Sequence, residues 1–241
     1  MTASPFLVIA HRGASAYAPE NTAASFDMAI RLGASHIELD VQSTRDGHVV
    51  VIHDDTVNRT TNGVGPVAGH TLAALKELDA GSWFDARFAG ERILTFEEVL
   101  QRYRGLVHIH TEIKGRSETL ARQTADLIRR YGMVEHVTVT SFEPARLLEM
   151  QACAPEFPRG WLVAHVNDAT IAQAFEMGVT QICPKAAIVT PELVDRLHGE
   201  GFVVRAWGVA NADLMKRVVQ AKADGMTVNF PDKLFEYLKN G

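Results

Sequence analysis

Short apolar runs alternate with amphipathic segments along almost the whole chain. Eight of these runs have the length and composition of strands and lie at 6–10, 36–41, 106–113, 136–140, 160–163, 181–184, 202–207 and 225–228. Helical periodicity of about 3.6 residues occurs between them, at 21–32, 95–103, 117–131, 144–152, 168–177, 191–199 and 211–220. This alternation predicts a (β/α)₈ TIM barrel of class α/β, with its chemistry at the carboxyl ends of the strands. An open doubly wound sheet is the alternative, but no G-x-G-x-x-G follows the first run.

One region interrupts the alternation after the second run. Residues 49–53 have the pattern of a further strand, too close to 36–41 for a parallel crossover. Asp46-Gly47 is typical of a two-residue type I′ hairpin turn, and the resulting antiparallel register predicts that Asp40 lies opposite His53. We expect residues 54–92 to form a small insertion that caps one barrel mouth, within a single domain of residues 1–241.

Composition and charge exclude several classes of protein. The 241 residues are 46% hydrophobic, enough for one large core, and the net charge of -5 gives no general attraction to nucleic acid. No run reaches the ~18 apolar residues of a membrane span, and the first apolar run lacks the basic segment of a signal peptide. Cys153 and Cys183 are far apart in sequence and predict no disulfide. We therefore expect a cytoplasmic protein; the sequence leaves its oligomeric state, including a homodimer, open.

Ionisable side chains cluster at the ends of the first three predicted barrel strands. His11 and Arg12 follow the first strand. Glu38 and Asp40 are two residues apart in the second strand and therefore share a face. In the third strand, one face carries four ionisable residues: His108, His110, Glu112 and Lys114.

Two neighbouring carboxylates inside a barrel mouth repel one another and require a cation or a shared proton. Glu112 can complete a three-carboxylate site with Glu38 and Asp40, and oxygen ligands favour a hard ion, Mg²⁺ or Ca²⁺. Lys114, one step higher, can meet an anionic oxygen. His108 and His110 lie lower, where hydrogen-bonded imidazoles that fill the barrel are the expected role. Trp207, at the end of the seventh strand, can form the wall of a small substrate pocket.

Short motifs occur in a fixed order along nearly the whole chain. They are Ala10-His11-Arg12-Gly13, Pro19-Glu20-Asn21-Thr22, Glu38-Leu39-Asp40, Thr44-Arg45-Asp46-Gly47, His53-Asp54, Arg59-Thr60-Thr61-Asn62-Gly63, Gly81-Ser82-Trp83-Phe84, Thr95-Phe96-Glu97-Glu98, Glu112-Ile113-Lys114, Ser141-Phe142 and Asp224-Gly225. This ordered set resembles the glycerophosphodiester phosphodiesterase family. The chain departs from the family pattern at four positions, which often carry Pro, Asn, Thr and Asp in the family: Leu94, His110, Gly208 and Asn229.

The resemblance implies a barrel enzyme that hydrolyses glycerophosphodiesters, such as glycerophosphocholine or glycerophosphoethanolamine, to sn-glycerol 3-phosphate and an alcohol. It implies one divalent cation held by Glu38, Asp40 and Glu112. The same resemblance makes His11 and His53 the acid–base pair, and Arg12 and Lys114 the residues that hold the phosphate. A cyclic phosphate intermediate follows if the neighbouring glycerol hydroxyl attacks. Which histidine accepts the first proton stays open; the expected proximity to Asp40 favours His53.

Other functions share parts of this constellation. A phospholipase-like phosphodiesterase that acts on lipid head groups needs an apolar or basic rim, to which Trp83, Phe84 and Phe88 are the only contributors that stand out. A non-catalytic barrel that senses metal and phosphate has no need of His11 or His53. A lyase that stabilises an enolate on its metal has no need of two histidines and a phosphate-binding arginine.

Overall fold

A computed structural model describes residues 6–240 of the chain. The strands are β1 (Leu7–His11), β2 (His36–Ser43), β3 (Val49–Val51), β4 (His108–Ile113), β5 (Val137–Ser141), β6 (Arg159–Val163), β7 (Gln181–Pro184), β8 (Val203–Val209) and β9 (Gly225–Val228). The helices are α1 (Ala23–Arg31), α2 (Leu72–Lys76), α3 (Phe96–Tyr103), α4 (Leu120–Arg130), α5 (Pro144–Cys153), α6 (Asp168–Glu176), α7 (Pro191–Gly199), α8 (Ala212–Gln220) and α9 (Pro231–Asn240).

Eight parallel strands close into a barrel. The hydrogen-bonded order is β1-β9-β8-β7-β6-β5-β4-β2, and the pairing of β1 with β2 closes the ring. Alternating residues of each strand pack outward against the surrounding helices, as Ile37, Leu39 and Val41 do in β2. The sequence prediction of a (β/α)₈ barrel is confirmed, and each of the eight predicted barrel strands overlaps an observed one.

The helices begin where the sequence supplies capping residues. Thr22 and Thr95 form capping boxes at α1 and α3. Each threonine hydroxyl accepts the backbone N–H of the residue three positions later, whose side chain accepts the backbone N–H of the threonine. Asn211 caps α8 through its side-chain oxygen, which accepts the Leu214 N–H, and Pro191 is the first residue of α7. Because each cap fixes where a helix starts, it also fixes the length of the strand-to-helix loop that carries the chemistry.

The hairpin after β2 differs in register from the sequence prediction. β3 pairs antiparallel with the upper end of β2, with Val41 opposite Val51 and Ser43 opposite Val49. This register places Asp40 opposite Ile52, and the backbone N–H of Ile52 donates to the Asp40 carbonyl at 3.0 Å. The prediction that Asp40 lies opposite His53 is therefore wrong by one residue.

The turn itself explains the shift. The Thr44 N–H donates to the His48 carbonyl at 2.9 Å, which closes a three-residue loop instead of a two-residue one. Gly47 has φ +81°, as expected of a type I turn followed by a left-handed glycine. Asp46-Gly47 fits either loop length; the Thr44 hydroxyl selects the longer one by contacting Asp46 at 2.7 Å and accepting the His48 N–H at 2.9 Å.

Residues between β3 and α3 contain α2 and short turns. Their apolar side chains share a small buried cluster with the outer face of the hairpin, formed by Val50, Ile52, Val57, Val67, Leu75, Ala80 and Ile93. This cluster is separate from the two larger groups of apolar residues that surround the barrel. Among residues 6–240, no helix has the length and apolarity required to cross a membrane.

Candidate active site

Three neighbouring strands bring the predicted carboxylates together at the carboxyl end of the barrel. The β1–β2 register places His11 beside Glu38, and the β2–β4 register places Asp40 beside Glu112. One carboxylate oxygen from each of Glu38, Asp40 and Glu112 lies within 4.8 Å of the other two. Since side chains alternate along a strand, the two-residue spacing of Glu38 and Asp40 is what points both into the barrel.

The electrostatics of this cluster fit a bound cation. All three carboxylates are buried, and Oδ1 of Asp40 has no hydrogen-bond partner in residues 6–240. Burial, followed by the charge of Asp40, raises the pKa of Glu112 to about 7, and the same causes raise the pKa of Glu38 well above its ordinary value. Buried carboxylates that disfavour their own ionisation are stabilised by a divalent ion, and an all-oxygen donor set suits Mg²⁺ or Ca²⁺.

Arg12 is held by carboxylates on both sides. Its backbone N–H donates to Glu38 at 3.0 Å, its Nη1 donates to Glu20 at 2.9 Å, and its Nε lies 3.2 Å from Asp40. The residue has φ +55°, a left-handed conformation that is unusual for a side-chain-bearing residue and is common at functional sites. Asn21, also left-handed at φ +58°, donates its amide N–H to Asp40 at 2.9 Å.

Gly13 makes this turn possible. It has φ +83°, and a Cβ atom at this position would lie 2.5 Å from the carbonyl carbon of Ser25. The Ser25 hydroxyl donates to the Arg12 carbonyl at 2.8 Å and so fixes the turn against the start of α1. The close approach of β1 and α1 therefore sets the position of His11 and Arg12.

Lys114 lies beside Glu112. Its ammonium group donates to Glu112 at 3.1 Å and sits 5.8 Å from the centroid of the Phe142 ring. The structure thus places a positive charge next to the carboxylate cluster on the β4 side, as Arg12 does on the β1 side.

His11 is partnered by a neutral amide. Its Nδ1 lies 2.6 Å from Oδ1 of Asn229, and its Nε2 lies 3.9 Å from Glu38. Burial, followed by the charge of Arg12, lowers the pKa of His11 to about 4. His11 is therefore a neutral imidazole at pH 7, with Nε2 directed toward the carboxylate cluster.

His53 is partnered by a carboxylate. Its Nδ1 lies 2.7 Å from Oδ1 of Asp54, and the backbone around it is fixed by Gln42 from β2. The Gln42 amide donates to the carbonyls of Ile52, His53 and Asp54 at 3.4, 3.0 and 2.6 Å. His53 therefore reaches the barrel mouth through this anchored segment after β3, rather than by pairing with Asp40.

A chain of ion pairs connects His53 to Arg12. Arg59, from the segment after β3, donates to Asp54 at 2.7 and 2.9 Å and to Glu20 at 2.8 Å through each of two nitrogens. Glu20 in turn accepts from Arg12. Sequence reasoning assigned no role to Asp54, Arg59 or Glu20. Asp54 could have been suspected from its position next to His53, whereas the other two come together only through the fold.

A cavity of about 290 Å³ opens at this end of the barrel. The predicted site residues that line it are His11, Arg12, Glu38, His53, Glu112 and Trp207. The Trp207 indole donates to the Val163 carbonyl at 3.1 Å and packs edge-on against Phe142, with ring centroids 4.8 Å apart. A larger groove of about 600 Å³ lies outside the barrel near α3 and α4, and it contains none of the predicted site residues.

His108 and His110 precede Glu112 in β4 and lie toward the amino-terminal end of the barrel. Nε2 of His110 is 3.2 Å from Nδ1 of His36, and Nε2 of His108 is 2.9 Å from the Thr138 hydroxyl. Burial lowers the pKa of His108 to about 4 and that of His110 well below its ordinary value. The expectation of hydrogen-bonded imidazoles in the barrel interior agrees with these contacts, although His36 was not expected among them.

Comparisons with known proteins agree with this geometry. The model of the glycerophosphoryl diester phosphodiesterase family matches residues 11–233. A glycerophosphodiester phosphodiesterase of Caldanaerobacter subterraneus is 40% identical over 245 residues, which cover 98% of both chains. A crystal structure of a glycerophosphodiester phosphodiesterase from Agrobacterium tumefaciens has a TM-score of 0.86 at 31% identity and covers 96% of this chain and 99% of its own.

A further solved structure contains a bound product. The phosphodiesterase OLEI02445 of Oleispira antarctica, in complex with the product sn-glycerol-3-phosphate, has a TM-score of 0.89 at 28% identity, over 97% of this chain and 96% of its own. The family match spans nearly the whole barrel and includes every predicted site residue from His11 to Trp207. The chain belongs to the glycerophosphoryl diester phosphodiesterase family.

Proposed function

We propose that this enzyme hydrolyses small water-soluble glycerophosphodiesters, such as glycerophosphocholine and glycerophosphoethanolamine, to sn-glycerol 3-phosphate and the free alcohol. The proposal rests on one observation: a cavity at the carboxyl end of the barrel is lined by two histidines, Arg12 and two carboxylates of the buried cluster. The complex of the Oleispira antarctica phosphodiesterase with sn-glycerol-3-phosphate supports the nature of the product. The cavity volume of about 290 Å³ accommodates a small diester.

Glu38, Asp40 and Glu112 would hold a hard divalent cation. When bound, such an ion supplies positive charge that offsets the phosphodiester anion and lowers the pKa of a nearby hydroxyl. The raised pKa values of Glu38 and Glu112 support this assignment, because burial and the neighbouring negative charges disfavour the ionised forms of these two carboxyls when no counter-charge is present.

Arg12 and Lys114 would bind the phosphate oxygens. Nη1 and Nε of Arg12 face Glu20 and Asp40, which leaves Nη2 as the donor to phosphate. Lys114 contributes a point charge on the other side of the carboxylates. Trp207 and Phe142 would form the apolar wall against which the carbon skeleton of the substrate packs.

The two histidines differ in the charge of their partners, and this difference favours an order of proton transfer. His11, neutral and bonded to the amide of Asn229, is suited to accept a proton first. His53, whose Nδ1 is bonded to the carboxylate of Asp54, is oriented to donate the proton to the leaving alcohol. The register found for β3 also removes the reason for favouring His53 as the base, since Asp40 is not its cross-strand neighbour.

The proposed reaction proceeds in two steps. Nε2 of His11 takes the proton of the glycerol 2-hydroxyl, whose oxygen attacks phosphorus; the bond from phosphorus to the alcohol breaks, and Nε2 of His53 protonates the leaving oxygen. Because the attack is intramolecular, much of its entropic cost is removed. In the second step His53 takes a proton from water, the resulting hydroxide opens the cyclic phosphate, and His11 returns its proton to the 2-oxygen.

The insertion of residues 54–92 would close one side of this site. Arg59 supports that role, because it is the side chain from the insertion that bonds both Asp54 and Glu20. An insertion tied to the loop between β1 and α1 in this way holds His53 over the barrel mouth. It remains part of a single domain in this proposal, since its apolar cluster shares Val50 and Ile52 with the hairpin.

Release of glycerol 3-phosphate from a panel of diesters tests the function. We expect product from glycerophosphocholine and glycerophosphoethanolamine, loss of product on chelation, and recovery with Mg²⁺ or Ca²⁺. The alternative, a phosphodiesterase that acts on lipid head groups, predicts faster cleavage of phospholipid vesicles than of soluble diesters. Full activity after complete removal of divalent ions would contradict the assigned role of the carboxylates.

A further inference from the structure

A second group of potential metal ligands lies at the amino-terminal end of the barrel, on the same two strands as the carboxylates. His36 opens β2 two residues before Glu38, and the β2–β4 register places it directly beside His108. His110 is beside Glu38 in that register and two residues before Glu112. With a strand rise of about 3.3 Å per residue, His36 lies about 7 Å below Glu38 and His110 about 7 Å below Glu112 along their own strands, so the imidazoles form a layer displaced toward the amino-terminal end of the barrel.

The nitrogen atoms of these imidazoles converge. One ring nitrogen from each of His36, His108 and His110 lies within 4.8 Å of the other two. Nδ1 of His36 and Nε2 of His110 are 3.2 Å apart. Two nitrogens bound to one tetrahedral Zn²⁺ at 2.0–2.1 Å are separated by about 3.3 Å, so this pair already has the spacing of two ligands.

The donor chemistry of this layer differs from that of the carboxylate cluster above it. Three imidazoles and no carboxylate suit a borderline ion such as Zn²⁺, Co²⁺ or Ni²⁺, whereas the three carboxylates suit Mg²⁺ or Ca²⁺. His36 and His108 are only half-buried, and this leaves an approach for an ion from the end of the barrel opposite the substrate cavity. The two layers therefore select different metals and are reached from different sides.

Arg205 from β8 is a positively charged neighbour of the three imidazoles, and its charge would repel a bound cation. It is 1% exposed, its charge acts on His36, His108 and His110, and two of its nitrogens, Nε and Nη2, have no hydrogen-bond partner within residues 6–240. Three histidines leave the fourth position of a tetrahedral ion open. A hydroxide or chloride ion in that position would offset the positive charge and give the buried guanidinium an acceptor.

We propose that His36, His108 and His110 form a second metal site, which binds one borderline divalent ion with an anionic fourth ligand at the amino-terminal end of the barrel. This site would cross-link β2 and β4 below the catalytic carboxylates. None of its three ligands lines the substrate cavity, although Arg205, which would face the anionic fourth ligand, does.

Binding of Zn²⁺ to the full-length, metal-free protein tests this site. Calorimetric titration is carried out in excess Mg²⁺, which occupies the carboxylate cluster, and is repeated on E112Q, in which that cluster is weakened. We expect one equivalent of Zn²⁺ to bind in both proteins. The H36N and H108N variants, at half-buried positions, should bind it at least about 10- to 100-fold more weakly. The matched control is H165N, at an exposed histidine outside the cluster.

Cobalt provides a spectroscopic readout that does not depend on the stability of a variant. Co²⁺ bound to the wild-type protein in excess Mg²⁺ should show the intense visible absorption of a tetrahedral nitrogen-ligated ion, and Zn²⁺ should displace it. Failure of the wild-type protein to bind Zn²⁺ in excess Mg²⁺ overturns the proposal. Unchanged Zn²⁺ affinity in folded H36N and H108N overturns it as well, because binding would then lie elsewhere.

Discussion

Nδ1 of His11 lies 2.6 Å from Oδ1 of Asn229, a neutral amide at the end of β9. The second histidine of the cavity, His53, has a carboxylate in the equivalent role, with Asp54 at 2.7 Å. Two imidazoles that face one cavity therefore differ in the charge of their partners. In the proposed mechanism this asymmetry assigns them different tasks, with His11 as the first base and His53 as the acid.

The first prediction concerns N229D. A carboxylate beside Nδ1 raises the pKa of His11 from its lowered value of about 4. His11 must be neutral to accept a proton. As the pH is lowered, N229D should therefore lose activity at a higher pH than the wild-type enzyme does. The acidic limb of kcat/KM against pH reports this change. An acidic limb that stays in place, or moves to lower pH, would contradict the assignment of His11 as the first base.

The second prediction concerns Asp54. In D54N an amide replaces the carboxylate beside Nδ1 of His53, and its NH₂ group can turn the imidazole to the wrong tautomer. We expect kcat to fall by about 10²-fold or more, with a small change in KM. D54E, which keeps the charge, should recover part of the lost kcat. Equal kcat in D54N and wild-type enzyme would show that Asp54 does not act through His53.

Arg59 provides a separate test of the ion-pair chain. R59K keeps one positive charge but loses the two-sided contact with Asp54 and Glu20. We expect R59K to lose part of the wild-type kcat. Its Tm should equal that of the wild-type enzyme within error, because Arg59 is partly exposed. R87K, at an exposed arginine of the same insertion that forms an ion pair with the neighbouring Asp85, is the matched control and should behave as wild type. Comparable activity of R59K and R87K would contradict a role in catalysis for the chain of ion pairs that connects His53 to Arg12.

Cation binding should release protons. The pKa of Glu112 is raised to about 7, so a fraction of this carboxyl is protonated at neutral pH and must ionise when a cation binds. Affinity for Mg²⁺ should therefore weaken as pH falls through 7 and level off above it. Calorimetry in buffers of different ionisation enthalpy counts the protons released. E112Q should release fewer protons; equal release by wild type and E112Q would rule out Glu112 as their source.

Alanine substitutions at Gly13 and Gly105 distinguish the cost of backbone strain from the cost of steric overlap. Both have positive φ, +83° and +73°, but a Cβ at Gly105 would meet nothing within 4 Å, whereas one at Gly13 would overlap Ser25. G105A should cost about 1 kcal/mol of unfolding free energy from its backbone alone. G13A should cost clearly more, as measured by urea unfolding, and should also reduce activity because His11 and Arg12 move. Equal losses of unfolding free energy in G13A and G105A would show that β1 and α1 move apart without cost to admit the added methyl group.

The barrel and the carboxylate cluster could be predicted because they depend on local periodicity. Alternation of two residues in β2 and β4 places Glu38, Asp40 and Glu112 on inward faces, and a closed parallel sheet then brings them together. The position of His53 was harder to predict. The Thr44 side chain decided between two loop lengths, and the one-residue change moved Asp40 opposite Ile52.

Contacts between distant segments could not be read from the chain. Asn229 reaches His11 across 218 positions, and Arg59 reaches Glu20 across 39. Each contact depends on where two separate loops end after the barrel closes, which no periodic pattern encodes. His36 illustrates the same difficulty, because its partner His110 is on another strand and 74 positions away.

In the proposed mechanism His11 and His53 are both required for cleavage beside the carboxylate cluster. Release of sn-glycerol 3-phosphate from glycerophosphocholine in saturating Mg²⁺ tests it most directly, with H11A, H53A and the exposed-site control H165A compared at equal fold content by circular dichroism. We expect H11A and H53A each to lose about 10²–10⁴-fold in kcat, while H165A retains wild-type turnover. Wild-type turnover by a folded H11A or H53A enzyme would contradict it.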